Sequence, residues 1–405
     1  MSPQPLQGIR ILDLSRILAG PWCSQQLADL GATVIKIEKP HEGDDTRRWG
    51  PPWLANTQEA AYYLCANRGK QSVTIDIAKP EGQALLHELV KHCDVVLENF
   101  KVGGLKKYKL DYASLALLKP DLIYCSITGF GQTGPYAQRA GYDFMIQGMG
   151  GLMSLTGQPD SELGGGPVKV GVAFTDIFTG MYAANAILAA LFQRQHTGCG
   201  THIDLALLDV QVGVLANQAL NYLTSGQVPE RLGNAHPNIV PYQAFATQDG
   251  HLILAVGNDA QFQRFCEVAA CAELAQDERF LSNAKRVEHR QTLIPLLIPI
   301  LKERSTNDWL LALETVGVPC GPINTLEQVF ADPQVQHRQL EIQLPHPEAG
   351  QVRLVSNPIR FDNQALNAQI PPPLLGQDTQ QVLTELLGLD AEQQQQLKIK
   401  GVISY

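Results

Sequence analysis

Long uninterrupted hydrophobic runs are missing from these 405 residues: no stretch reaches the roughly 18 apolar residues needed to span a bilayer. The opening MSPQPLQGIRILDLS carries no apolar signal region, so no membrane partner is expected and the cytoplasm is the expected location. An excess of positive charge is missing as well. With 31 Lys and Arg against 40 Asp and Glu the net charge is -9, which leaves no broad cationic face for a nucleic acid backbone. Any anion must be met by local basic residues. The eight cysteines (Cys23, Cys65, Cys93, Cys125, Cys199, Cys266, Cys271, Cys320) form no CxxC pair and the ten histidines form no HExxH, so reduced thiols and no metal site are expected. What is abundant is apolar residue, 44% of the chain against 18% charged, enough for a large core divided between two domains.

The first part of the chain alternates short apolar runs with helical patterns. IRILDL precedes a helix near Pro21–Leu30, followed by TVIKIE, SVTIDI, a helix over Pro80–His92, DVVLEN and LIYCSI. Buried parallel strands read as continuous apolar runs, so this repetition predicts an α/β fold: a Rossmann-like, doubly wound parallel sheet. Ligands of such sheets gather at the carboxyl ends of the strands, which directs attention to Ser15–Gly20, Lys39–Arg48, Asn99–Gly104 and Thr128–Gly134. From Gly148 the texture changes to glycine-rich GMGGLMSLTG and LGGGP, then the apolar stretch Val170–Phe192, a strand HIDLAL and a helix over Asp209–Thr224. RLGNAHPNIVPY reads as a connecting loop. Tyr242–Thr325 reads as a smaller α/β domain, with HLILAV, helices near Gln261–Ala269 and Asp308–Val316, and the turn VGVPCGPIN. A proline-rich tail and a helix near Asp378–Leu387 close the chain.

Gly129-Phe-Gly131-Gln-Thr-Gly134 fits GxGxxG directly after a predicted strand. A dinucleotide fingerprint should open a helix, yet Pro135-Tyr136 follows, so a tight loop near a ligand is the better reading. Asp176 is the only charge in GVAFTDIFTGMYAANAILAALF. On composition its commoner role is a helix N-cap; the other is a nucleophilic carboxylate at a helix start. Arg16, Lys39, Arg47, Arg48, Lys70, Lys101, Lys106 and Lys107 cluster near predicted strand ends. Singly each is a solvated charge, whereas together they suit a polyanionic nucleotide such as CoA. Tyr142-Asp143 and the loop residue His236 can be structural or catalytic, and composition does not choose between these roles.

PLQGIRILDLSRILAGPWCSQQLADLGATVIKIEKP, GDDTRRWGPP, NRGKQSVTIDI, VVLENF, LIYCSITGFGQTGPYAQRAGYD and GVAFTDIFTGMYAANAIL together resemble the class III CoA-transferases, the group of formyl-CoA and carnitine CoA-transferases. The match runs from about Pro5 to PPPLLGQDT. The resemblance implies a homodimer of interlocked ring-shaped chains. It implies a large CoA-binding domain built from 1–224 and completed by 326–405, which also holds a linker, with a linker at 225–241 and the small domain at 242–325 between. CoA would be a substrate rather than a resident cofactor, with no metal. The aspartate matching Asp176 would attack an acyl-CoA thioester to give an anhydride, then an aspartyl-CoA thioester. Ile17, Leu18 and Ala19 match backbone contacts to CoA; Lys39, Lys70, Asn99, Phe100, Lys101, Lys107 and Tyr108 match further contacts. Tyr142 and Asp143 match an active-site tyrosine and acid.

Leu18 departs from the glutamine of formyl-CoA transferase, and GNAHP replaces a longer glycine-only loop, which argues against formyl-CoA and oxalate. GDDTRRWGPP, GNAHPNIVPYQAF and PPPLLGQDT resemble the branch using succinyl-CoA and dicarboxylates such as glutarate. A second carboxylate needs a cationic or amide partner, for which Arg16, Asn234 and His236 are the candidates. The alternatives are an acetyl-CoA:oxalate or other short-acid CoA-transferase, an acyl-CoA racemase of the same superfamily, and a non-catalytic CoA-binding protein.

Overall fold

The computed structural model describes residues 4–405, in two compact units. The first takes in the chain through Leu152, Val170–Thr224 and Gln334–Tyr405; the second is Met153–Lys169 with Ser225–Pro333. In the first unit six strands form one sheet: β1 (Arg10–Asp13), β2 (Thr33–Glu38), β3 (Lys70–Thr74), β4 (Val95–Glu98), β5 (Ile123–Thr128) and β6 (Thr201–Ala206). All pairs are parallel, in the order β3-β2-β1-β4-β5-β6. The chain therefore winds outward from β1 on one side and from β4 on the other. Loops leaving β1 and β4 diverge at that switch point and open a crevice between them, which is where such folds seat ligands.

Both faces of the sheet are covered. Ile11, Val34, Val95, Leu97, Cys125 and Ile127 pack under α1 (Ala19–Asp29) and α4 (Phe174–Thr197). Leu12, Ile35, Ile37, Val96 and Tyr124 pack with Leu85, Leu86, Leu89 and Val90 of α2 (Pro80–Lys91). The i, i+1, i+4, i+5 spacing of those four makes a single apolar stripe, and proline at the first turn, where its missing N–H costs nothing, starts the helix. The last residues of the chain return to the same core through Val382, Leu383, Val402 and Ile403. They also dock on β3, since the Asp378 carboxylate accepts from the Ser72 N–H at 2.8 Å and the Thr379 hydroxyl from the Thr74 N–H at 3.0 Å.

α4 is 24 residues long and apolar enough to cross a membrane by length and composition, but Ala183, Ala184, Ile187, Ala190 and Leu191 are buried in the core of this unit. α1 crosses it closely at Gly180, where a Cβ would stand 2.6 Å from the Ala19 carbonyl oxygen. That approach brings the start of α1 near the start of α4.

The second unit has a three-stranded antiparallel sheet of Tyr242–Ala246, His251–Ala255 and Cys320–Pro322. Leu252 and Leu254 point inward and His251 and Ile253 outward, the period of a half-buried strand. Phe262, Phe265, Phe280 and Trp309 fill its core. Two local expectations change. The helix expected over Asp209–Thr224 is two helices, Leu207–Gly213 and Ala216–Ser225, broken where Ala216 takes a positive φ of 45°. VGVPCGPIN holds a short edge strand, because Cys320–Pro322 pairs with Leu252–Leu254, a long-range contact that turn chemistry does not announce.

Candidate active site

At the switch point lies a cleft of about 480 Å³, walled by the loops after β1, β4 and β5 and by the start of α4. The first wall is held from behind. Lys36, fully buried on β2, donates from Nζ to the Ser15 carbonyl and to the Asp44 carboxylate, both at 2.9 Å. Burial would raise the Asp44 pKa, but Lys36 and the hydrogen bonds of Thr46 hold it down to about 2. Asp44 in turn accepts from the Ile17 N–H at 3.2 Å. From the other side the Asn99 amide accepts from the Arg16 N–H at 2.9 Å and donates to the Arg16 carbonyl at 2.7 Å. Pinned at both ends, Ile17 sits at φ 73°, a region that costs a β-branched residue on the order of 1–3 kcal/mol. Strain at this position is retained because the surrounding bonds determine it.

Asp176 is the third residue of α4, and its own backbone needs a cap. The N-cap position, Ala173, has no side-chain acceptor. Asp143, the first residue of α3 (Asp143–Met149), supplies one from outside: its Oδ1 accepts from the N–H groups of Thr175 at 2.8 Å and Asp176 at 3.2 Å. Gln147, buried one turn along α3, donates to the other Asp143 oxygen at 2.7 Å and accepts from the Val170 N–H at 3.0 Å. The Asp143 position depends on two glycines, since a Cβ on Gly129 would meet the Gly141 Cα at 2.6 Å and one on Gly141 the Gly129 Cα at 2.3 Å. Their backbones touch, folding the loop after β5 back on itself so that the GxGxxG match opens no helix before Asp143. With capping done by Asp143, the Asp176 carboxylate is left to line the cleft. Burial and then the nearby Asp143 charge raise its pKa to about 7.

Comparison with known proteins gives this arrangement a family. The model of CoA-transferase family III matches residues 6–379. The chain belongs to CoA-transferase family III. It is 53% identical to the succinate–glutarate CoA-transferase of Agrobacterium fabrum over 94% of this chain and 96% of that protein. To the human succinyl-CoA:glutarate CoA-transferase it is 44% identical over 99% and 90%. The crystal structure of a CaiB/BaiF family protein from Brucella suis superposes with a TM-score of 0.83 at 52% identity, covering 95% of this chain and 99% of that one.

In this CoA-transferase the cleft gathers Arg16, Ile17, Leu18, Ala19, Asn99, Phe100, Lys101, Lys107, Tyr108, Tyr142, Asp143 and Asp176. Lys39 lies in an adjoining hollow of about 270 Å³, which shares Arg16, Phe100 and Tyr108 with the cleft, and pairs with Glu42 at 2.5 Å. Arg16 bridges to Asp45 at 2.8 Å on the rim.

Four of the eight clustered cations are elsewhere: Arg48 reaches toward Asp45 at 3.7 Å, Lys106 lines a separate hollow, and two are buried. Lys70, expected among the CoA contacts, is fully buried and donates to the Pro21 carbonyl at 3.0 Å and the Asn67 side chain at 2.9 Å, with Asp13 at 3.4 Å. Arg47 is buried against Glu38 at 2.7 Å and stacks on Tyr63. Both ends of these pairs lie inside the fold, where a lone charge would be too costly to leave unmatched. Asn234 and His236 belong to the second unit, where Asn234 is exposed and the His236 carbonyl accepts from Arg290 at 3.1 Å. Burial, with Arg290 beside it, lowers the His236 pKa.

Sequence reasoning missed Arg139, an exposed cation lining the cleft and stacked 4.5 Å over Tyr136. It also missed Tyr62, whose phenol is pushed up to about 12 by burial and then by Asp176. Neither residue type at its position carries a signal before folding. Among the described residues no group of three or more His, Cys, Asp or Glu side chains is placed to hold a metal.

The electrostatics of Asp176 set two expectations. If its ionised form is the active one, a group titrating near 7 makes kcat/KM rise about tenfold from pH 6 to pH 8. Asp143→Asn, which removes the like charge, shifts that limb to lower pH; an unmoved limb in a steady-state pH profile contradicts the assignment. The second expectation concerns stability. The folded protein keeps a proton on Asp176 that the unfolded chain, near the ordinary 3.8, has already lost, so stability falls as pH rises through that window toward 7. Thermal unfolding of Asp176→Asn is therefore expected at a higher midpoint than wild type at pH 8, and at nearly the same midpoint at pH 4.

Proposed function

We propose that this chain moves CoA from succinyl-CoA to a dicarboxylic acid such as glutarate through covalent intermediates on Asp176. The observation that carries the reading is the cap of α4 by Asp143, which leaves a carboxylate free at the base of a cleft large enough for the reacting end of CoA. An Asp176 oxygen attacks the thioester carbonyl, forming an aspartyl–succinyl anhydride and expelling the CoA thiolate. The thiolate then attacks the aspartyl carbonyl, giving an Asp176–CoA thioester and free succinate. Glutarate attacks that thioester, releasing the thiolate again, and the thiolate takes the glutaryl group from the second anhydride to restore Asp176. A thiolate leaves readily and, held in the cleft, returns at high effective concentration.

The loop amides of Ile17 to Ala19 and the side chains of Asn99, Phe100, Lys101, Lys107 and Tyr108 are assigned to CoA, with Lys39 at its far end. Arg16 and Tyr142, which line the cleft, are assigned to the acids. The choice of dicarboxylate is supported by the activities named for the 53% and 44% identical relatives. The domain division at 1–224, 225–241, 242–325 and 326–405, the interlocked homodimer and the cytoplasmic location belong to the same proposal.

A coupled assay of succinyl-CoA against C2 to C6 mono- and dicarboxylic acids tests it. Glutarate is expected to turn over faster than acetate or oxalate, and Asp176→Asn to lose about a thousandfold or more in kcat while still binding CoA. Preference for oxalate would sink the substrate assignment. Full activity in Asp176→Asn, or α-proton exchange in deuterated water without transfer, would sink the mechanism.

A further inference from the structure

Behind the cleft, the loop after β4 is fastened to an acid that the transfer chemistry leaves unused. Glu98, the last residue of β4, is 5% exposed and opens on a separate hollow of about 310 Å³ that shares only Lys101 and Val102 with the cleft. Its Oε2 accepts from the Phe100 N–H at 2.7 Å, and the Ser126 hydroxyl of β5 hydrogen-bonds its carboxyl group. Ser126 Oγ lies 3.0 Å from Nε2 of His202 on β6, an exposed ring stacked 4.9 Å from Tyr112. Parallel register places the three side chains on one face: Glu98 stands beside Ser126, and His202 beside Tyr124 two residues earlier.

We propose that Glu98 is a positioning residue for CoA binding, its ionised carboxylate clamping the Asn99–Gly104 loop in the shape the cleft requires. The proposal rests on the reading of that cleft as the CoA site. Asn99 is locked to the Arg16 backbone in both directions and Phe100 lines both the cleft and the hollow beside Lys39, so fixing the Phe100 N–H fixes two walls at once. An N–H bonded to a carboxylate is held more strongly than one bonded to a neutral acid.

The hydroxyl of Ser126 makes the clamp reversible. It donates to the ionised Glu98 and accepts from His202 Nε2–H; when Glu98 gains a proton it accepts from Glu98 and donates to Nε2, with the imidazole exchanging its Nδ1 proton with water. One proton enters or leaves, and no charge is stranded on serine.

The surroundings give Glu98 no cation to hold it ionised. Lys101 and Lys106 stand on the exposed rim of the hollow, with Asp111 and Tyr112 across it. Tyr124 and Cys125 of β5 approach from the sheet, the Tyr124 phenol donating to the Leu110 carbonyl, and His202 and Asp204 come from β6. Burial raises the Glu98 pKa to about 7 against the bonds from Ser126 and Phe100, so its charge changes near neutrality. Burial also lowers the His202 pKa, opposed by Asp204, which keeps the ring neutral there and free to take either tautomer.

Calorimetric titration of CoA into the full-length wild type, Glu98→Gln and Ser126→Ala between pH 6 and pH 8 tests the clamp. Asp176 and the 3′-phosphate of CoA titrate in all three proteins, so only the difference between curves is read. Glu98→Gln is expected to match wild type at pH 6 and bind roughly fivefold more weakly at pH 8, with kcat at saturating acyl-CoA changed less than about twofold. Ser126→Ala, which removes a bond to the ionised form, moves the midpoint of the wild-type dependence to higher pH. Parallel curves for wild type and Glu98→Gln overturn the proposal; if that variant does not fold, an unmoved midpoint in Ser126→Ala overturns it. No CoA binding by wild type at any pH is a different result: it removes the CoA reading of the cleft, and the clamp with it.

Discussion

The structure of this site depends on one carboxylate capping a helix that starts with another. Four N–H groups at the start of α4 lack partners within the helix, and the local sequence Val-Ala-Phe-Thr-Asp places no acceptor at the N-cap. Asp176 has the chemistry to cap but is the third helical residue, so the bond comes from Asp143, at the start of α3, after a loop folded back on itself by the Gly129–Gly141 contact. Two acids thus divide the work. One is spent on the backbone, and the other is left desolvated, without a cation, beside a like charge. Such a group destabilises the fold as it ionises.

The opposite wall follows the same economy with more charge. Asp13 with Lys70, Lys36 with Asp44, and Glu38 with Arg47 form buried pairs beneath the loop that carries Ile17. Removing one partner of a buried pair leaves an uncompensated ion, at about 3–5 kcal/mol, so none of the six is free to leave the fold for a ligand. Their contribution to binding is indirect. They fix the Ser15 carbonyl and Ile17 N–H, and so the strained backbone that faces the cleft.

Much of this was legible before folding. Apolar runs marked the inner strands of the sheet, because strands buried on both faces cannot alternate, whereas the edge strand β6 does alternate, with His202 and Asp204 exposed; the residues just after β1, β4 and β5 do line the cleft. Other features had no local sign. Lys70 and Arg47 look like surface cations until their partners, 57 and 9 residues away, are seen inside the core. Composition favoured Asp176 as a cap, whereas the cap is 33 residues earlier in the chain. Nor could spacing reveal that Glu98 would find Ser126 and His202 rather than a cation. In each case the deciding partner lies on another element of the fold, and the single residue reads the same with or without it.

The central claim is that the free carboxylate of Asp176 becomes covalently bonded during turnover. Intact-protein and peptide mass spectrometry of enzyme quenched in the presence of succinyl-CoA tests this directly, with hydroxylamine added to capture activated acyl groups. The account predicts a CoA adduct on the chain and a hydroxamate on the peptide containing Asp176, both missing from Asp176→Asn. Turnover with no modified Asp176, or with the modification on another residue, would contradict it.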